Sequence, residues 1–295
     1  MSKVEFKLTD LPPMPQVVTK IYQIDENHIN ISSDQMQAII AADPGLTGKI
    51  LKIANSAFYS RSSRVSSLSG AITLLGFKTI KSLTLLVSVS GIFSQSKATK
   101  EIQKYIWMRS VLAALATRYL AQKLNKKDIT EEVFMATLLR NIGQGIMLNK
   151  DQDVYNDIFR QSQMGIDFIT LRSKEKKSYG ITSAQLSGMA MKKWNFPQAL
   201  VNTAKLEDYN CQTAKDIVGE ISLFTLLGEV IVTLCNLTDQ AELNEKQLRE
   251  YTILFEKFST ELKLSNELKN YFLNDFHDAV KKDEFYNFCE ELFLM

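Results

Sequence analysis

Apolar residues return in this chain every three or four positions, and that rhythm holds over most of its length. A chain patterned this way buries its side chains by packing helices together, because a half-buried strand needs alternation at every second residue. Leu46, Ile50, Ile53, Ala54, Ala57 and Phe58 fall at i, i+4, i+7, i+8, i+11 and i+12, the stripe of a helix covered on one side. Asp43 stands where it can cap free backbone N–H groups, and Pro44 takes the first helical position, where its missing donor costs nothing. A second stripe runs through Leu112, Leu115, Ala116, Tyr119, Leu120 and Leu124, and a third through Ile217, Ile221, Phe224, Gly228, Ile231 and Cys235. Five prolines and twelve glycines are too few for a strand-and-turn protein of 295 residues, so the fold class reads as all-α.

Ser66 to Leu75 reads as a short helix entered at a serine pair, and Gly76 separates it from a helix over Phe77 to Phe93. The small polar stretch Gln95 to Lys100 marks a joint between subdomains. Near the C-terminus, Tyr251, Phe255, Phe258 and Leu262, then Phe272, Phe276 and Val280, define amphipathic helices. Such stripes dock onto the parent core or offer a partner surface, and docking is the expectation. The weakly polar stretch from Ser82 to Phe93 falls short of the roughly 20 apolar residues that cross a bilayer, so no membrane insertion is expected. MSKVEFKLTD carries no apolar signal region, which predicts a cytoplasmic address. Cys211, Cys235 and Cys289 lack CxxC spacing and read as reduced core thiols. Charge is uneven: from Asp239 to Met295 there are 13 acidic and 7 basic residues, a balance of −6 that leaves +8 for residues 1 to 238. The basic clusters Lys123, Lys126, Lys127 and Arg172, Lys174, Lys176, Lys177 read as solvated helix ends, with phosphates or an acidic partner as the alternative.

LPPMPQVV at Leu11 to Val18, AADPGLTGKILKIANSAFYS at Ala41 to Ser60, and VSSLSGAITLLGFKTIKSL at Val65 to Leu83 closely resemble the signature of HDOD domains. ATLLRNIGQGIML at Ala136 to Leu148 and YGITSAQLSGMAMKKWNFPQALV at Tyr179 to Val201 look like the family's later segments. The resemblance covers about residues 8 to 210. It implies a helical relative of the HD metal-dependent phosphohydrolases, found mostly in bacterial signalling proteins and regarded as non-catalytic. The expected layout is an HDOD domain over 8–210, with subdomains at about 8–95 and 99–210, and a C-terminal helical extension over 211–295. Asp43, Pro44, Asn55, Ser56 and Tyr59 belong to the signature run. Within it Asn55 can bond neighbouring backbone near the helix end, and Phe58 with Tyr59 can anchor the next loop, a role in the fold before one in partner contact.

HD hydrolases hold metal through histidines and aspartates, because hydrolysis there needs a polarised phosphate and an acidified water. By this resemblance Arg140 and Asn141 stand where the hydrolases keep their adjacent His-Asp pair, while Arg109 and Ser183 replace other histidines. Arginine stays protonated and offers no lone pair, and asparagine and serine oxygens are weak ligands for a transition metal. His28 and His277 lie far apart without ligand-type partners at helical spacing, so neither a metal nor another cofactor is expected. Glu131 with Glu132 and Glu207 with Asp208 are adjacent acids, read as solvated helix ends because neighbours on a helix point about 100° apart. No GxxxxGK[ST] loop or GxSxG elbow occurs, and Gly143-Gln144-Gly145 in its apolar run reads as a close helix contact.

The run from Glu132 to Leu148, read as one helix, is apolar except at Thr137, Arg140, Asn141 and Gln144, which recur at i, i+3, i+4 and i+7 and so share a face. With Arg109 nearby, that face forms either a satisfied hydrogen-bond network or a pocket for an anionic small ligand or a partner's carboxylate. The function expected is a non-catalytic regulatory module, a pseudoenzyme whose partners are proteins of a bacterial signalling pathway. A chain without its own receiver or cyclase segment would take its signal by contact. The alternatives are a residual metal-dependent phosphohydrolase acting on nucleotides and a nucleic-acid-binding regulator. The last is disfavoured because no basic and aromatic residues interleave as single-strand stacking requires.

Overall fold

The computed structural model describes residues 6–24, 29–56, 59, 64–93, 100–238, 243–282, 286–289 and 291, and among them no strand occurs. They form two compact units, one of Met1–Pro12 and Ile92–Asp278, the other of Pro13–Gly91 and Ala279–Met295.

The unit built on Pro13–Gly91 holds α1 (Gln16–Tyr22), α2 (Ile29–Ala41), α3 (Pro44–Ala54), α4 (Leu68–Leu75) and most of α5 (Phe77–Phe93). α3 starts as its sequence predicts: the Asp43 side chain accepts from the Leu46 N–H at 3.0 Å, and Pro44 sits in the first turn. Leu46, Ile50, Ile53 and Ala54 are buried, whereas Ala57 and Phe58 lie outside the described residues. Asn55 closes the helix and fastens the chain beyond it. Its Nδ2 donates to the carbonyls of Leu51 and Val65, and its Oδ1 accepts from the Val65 N–H, each at 2.8 Å. The Ser56 hydroxyl donates to the Ile53 carbonyl at 2.8 Å, and the Tyr59 N–H donates to the Ser56 carbonyl at 3.0 Å. Ser67 caps α4, and Gly76, at φ 84°, turns the chain into α5. No single described helix is long and apolar enough to cross a membrane; α4 and α5 meet that test only as a pair bent by 117°. The last residues join this unit, with Val280, Phe288 and Cys289 buried, Glu291 paired with Lys52, and the Lys52 ammonium 5.3 Å from the Phe288 ring centre.

The other unit contains α6 (Lys100–Lys123), α7 (Thr130–Arg140), α8 (Ile142–Lys150), α9 (Gln152–Gln161), α10 (Phe168–Tyr179) and α11 (Ser183–Lys193). α12 (Gln198–Ala204), α13 (Cys211–Val218), α14 (Glu220–Leu234), α15 (Glu245–Glu261), α16 (Asn266–Asn270) and the start of α17 (Phe276–Lys281) complete it. Its centre is α6 against α7 and α14, with α15 packed on α14. Gly228 permits the α6–α14 approach, since a Cβ there would lie 2.8 Å from the Ala113 carbonyl oxygen.

Two readings of the sequence are corrected here. The run from Glu132 to Leu148 is not one helix: α7 stops at Arg140 and α8 restarts at Ile142. The break leaves the Arg140 carbonyl and the Gly143 N–H without helical partners, and the Ser187 hydroxyl serves both, donating at 2.7 Å and accepting at 2.9 Å. It also sets Gly143 against α11 so tightly that a Cβ would fall 2.0 Å from the Ser183 carbonyl oxygen, the close helix contact expected of this glycine. The third stripe is likewise split by Gly219, at φ 74°, so Ile217 belongs to α13 and is 49% exposed. The C-terminal stripes dock onto the core as expected. Tyr251, Phe255, Phe258, Phe272 and Phe276 are buried, and the Phe272 ring meets Tyr119 edge-on at 5.8 Å. None of the three cysteines is in a disulfide; burial pushes the Cys235 thiol up to about 12, and the thiol donates to the Phe272 carbonyl.

Candidate functional site

Glu229 arrives on α14 as the one charged residue between Ile221 and Leu234, and meets the end of α7 across the core. A carboxylate carried into that setting is tolerated when donors surround it. Arg140 Nε donates to its Oε2 at 3.1 Å, the Tyr209 hydroxyl to the same oxygen at 2.7 Å, and Asn141 Nδ2 to Oε1 at 2.7 Å. The Arg140 and Glu229 side chains are only 2% and 3% exposed. Arg140 Nη1 also donates to the Thr203 carbonyl at 3.0 Å, and Gln144 Nε2 reaches Asn141 Oδ1 at 3.3 Å. Burial alone would raise the Glu229 pKa, but Arg140, Arg109, Tyr209 and Asn141 outweigh it and hold the carboxyl below its ordinary range.

Arg109, one of the three substituted histidine positions implied by the family resemblance, lies on α6 and is 8% exposed. Its Nη2 donates to Thr233 Oγ1 at 3.0 Å and its Nη1 to the Tyr105 hydroxyl at 3.4 Å. Among the described residues no carboxylate pairs with it. Burial works against its charge, yet Tyr105, Tyr209, Tyr251 and Glu229 outweigh that and raise its pKa.

Ser183 stands in a neighbouring network. Buried Glu175 accepts from the Tyr155 hydroxyl at 2.8 Å, from Arg172 Nη1 at 3.2 Å and from the Ser183 N–H at 2.8 Å, while Arg172 also donates to the Ser183 hydroxyl. Arg172 is therefore no solvated helix end: its side chain is 13% exposed. Glu131 needs the same correction, being 12% exposed and paired with buried Arg118. Glu207 is exposed as expected and accepts from the Thr182 hydroxyl at 2.6 Å.

Arg109, Asn141, Gln144, Arg172, Tyr209 and Glu229 line one narrow cleft together with the apolar Met164, Phe168 and Leu171. About 10 Å³ of it is free, room for about one water molecule. The structure thus gathers Arg109, Arg140, Asn141 and Gln144 around Glu229, and joins Ser183 to them through Arg172. Reading the sequence missed Glu229, Tyr209, Glu175 and the burial of Arg172. A lone carboxylate inside the run Ile221 to Leu234 was the available signal, because a charge in an apolar helix needs a partner.

The sequence pattern of the HDOD domain matches residues 11–208. The chain belongs to the HDOD family. Over 97% of its length it also superposes on 94% of an HDOD domain protein of unknown function from Geobacter sulfurreducens, with a TM-score of 0.71 at 17% identity. A Shewanella amazonensis protein provisionally named a phosphohydrolase matches over 97% of this chain and 96% of its own, with a TM-score of 0.66 at 18% identity. A Marinobacter aquaeolei protein provisionally named for signal transduction gives 0.64 at 18% identity, over 97% of this chain and 62% of its own. These likenesses establish the all-α HDOD fold. An uncharacterized protein of Treponema pallidum is 20% identical over 200 residues, 68% of this chain, and the chain spans 38% of that relative's length.

The HD relatives of this family use metal ions, and the residues here do not fit one. Glu229 already accepts three hydrogen bonds and has Arg140 and Arg109 beside it, so a divalent cation would meet two fixed positive charges. Among the described residues no group of three or more His, Cys, Asp or Glu is placed to hold a metal, and His28 lies outside those residues.

Proposed function

We propose that this HDOD protein is a regulatory module that acts by binding protein partners of a bacterial signalling pathway and has no hydrolase activity of its own. The observation that carries this reading is the buried Arg140–Glu229–Asn141–Tyr209 network, whose Arg140 and Asn141 stand, by the family resemblance, where HD hydrolases keep their His-Asp pair. Its donors and acceptors satisfy one another, and its guanidinium groups oppose the cation on which HD chemistry depends. The signal-transduction name of the Marinobacter protein supports the same direction. Output in such a protein comes from differential affinity, a partner or ligand selecting one of two arrangements of the helices.

The test is metal analysis of protein purified without chelators, paired with turnover of phosphomonoesters and phosphodiesters before and after chelation. Neither stoichiometric iron, manganese or zinc nor chelator-sensitive turnover is expected. Both together, lost on chelation and restored with metal, refute the proposal.

A further inference from the structure

The two buried networks at the cleft hold three guanidinium groups, Arg109, Arg140 and Arg172, against two carboxylates, Glu229 and Glu175. One positive charge is left over. Arg140 takes Glu229 and Arg172 takes Glu175, while Arg109 makes its bonds to the Thr233 and Tyr105 hydroxyls. Arg172 faces the same cleft, and its Nε is buried with no hydrogen-bond partner among the described residues. Both arginines therefore retain capacity for an acceptor that the chain does not supply.

Met164, Phe168 and Leu171 supply the apolar part of a wall that Asn141, Gln144, Tyr209 and Glu229 also line. The segment that carries Met164 turns through three successive left-handed residues, Gln163 at φ 51°, Met164 at φ 55° and Gly165 at φ 81°. Side-chain-bearing residues adopt that conformation under strain, so the segment has little to lose by rearranging. It is tied to α15 by the Tyr251 hydroxyl, which donates to the Ile166 carbonyl at 2.9 Å, and by Gln247 on Gln163.

We infer that this cleft binds a small monocarboxylate with a short apolar chain, its head between Arg109 and Arg172 and its chain against Met164, Phe168 and Leu171. One surplus positive charge matches a monoanion. A guanidinium fork accepts the planar carboxylate edge-on, and with free space for about one water the flat group needs less opening than a tetrahedral phosphate. Tyr251 holds the Ile166 carbonyl and lies in the field of Arg109, so the head group and the displaced segment act on the same α15 side chain. The assignment rests on the reading of this site as a binding centre, not a hydrolytic one.

The experiment follows methionine methyl signals of the full chain by NMR, with Met164 assigned through Met164→Leu. Acetate, hexanoate and inorganic phosphate are added separately at fixed pH and ionic strength. Acetate and hexanoate should each shift Met164 saturably in the millimolar range, hexanoate at lower concentration because more apolar chain is covered. Arg109→Gln should weaken this about tenfold, the loss of one charged donor. Arg172→Gln, at the more exposed rim, gives the same readout should the first variant not fold. No saturable shift in the wild type, saturation by phosphate but not by carboxylates, or unchanged affinity in a folded arginine variant overturns the inference. None of these outcomes touches the turnover assay, so the site's ligand and its lack of hydrolysis are judged separately.

Discussion

Replacing Glu229 with alanine removes the carboxylate that three donors share, and leaves the Arg140 guanidinium at 2% exposure without a counter-charge. Breaking a buried pair by removing one partner costs about 3–5 kcal/mol. Asn141 and Tyr209 lose acceptors as well, and each neutral donor stranded in the interior costs about 1–3 kcal/mol if water does not reach it. The cavity left by the side chain admits some water, so about 4 kcal/mol is the expected loss, the middle of the range for a broken buried pair. Against a whole stability of about 5–15 kcal/mol this is a large fraction. The two tryptophans, Trp107 and Trp194, are buried in the unit that holds the network, so their fluorescence in a urea titration reports that unit. The companion Arg140→Met/Glu229→Met double variant removes both charges and keeps apolar volume; with Asn141 and Tyr209 still stranded, it should lose clearly less than its two single variants added together. A loss below about 1 kcal/mol in Glu229→Ala, or a double variant as damaged as its two single variants added together, refutes the claim that the pair is held by mutual need.

The pH dependence has a definite sign. The Glu229 carboxyl is held below its ordinary 4.5 in the folded chain, so its contribution is fully present above that value and is lost as pH falls through the folded pKa. Urea midpoints of the tryptophan transition should therefore drop more steeply below pH 4.5 in wild type than in Glu229→Gln, and parallel curves contradict it. Gly143→Ala sets a methyl against the Ser183 and Ser187 backbone and should cost about 3 kcal/mol or more. Gly48→Ala, in α3 with open space around it, should instead stabilise by about 0.5–1 kcal/mol, read by circular dichroism in urea. Asn55→Ala severs two bonds that join the end of α3 to Val65 and a third to the Leu51 carbonyl, and should cost about 2–3 kcal/mol, with faster hydrogen exchange at the Val65 amide.

Much of the helical layout was legible because amphipathic periodicity and capping are local. Asp43-Pro44, Ser67 and Gly76 mark helix boundaries through their own backbone chemistry, and each stands where the sequence puts it. The polar face of Arg140, Asn141 and Gln144 was legible from spacing alone. What it faces was not, because Glu229 follows Arg140 by 89 residues and lies beyond the family match. The burial of Glu175 and Arg172 escaped for the opposite reason. They sit in the charged run RSKEKK, which looks solvated until the packing of α9 on α10 brings the Tyr155 hydroxyl to Glu175. The Asn141 break was hidden because a single hydroxyl on α11 repairs it, a contact made from 47 residues away.

The origin of that carboxylate on α14 decides where the chain can be cut. A recombinant piece ending at residue 208, the edge of the family match, would carry Arg140 and Arg109 into its interior and leave the balancing acid behind. It would also expose the face of α6 that Gly228 lets α14 approach, with Ala113 and Thr117 on it. The smallest autonomous form of this unit therefore reaches at least through Leu234, and the buried rings Tyr251, Phe255 and Phe258 extend it to α15. Expression trials that honour those ends should yield monodisperse protein where trimming to the family edge yields aggregates.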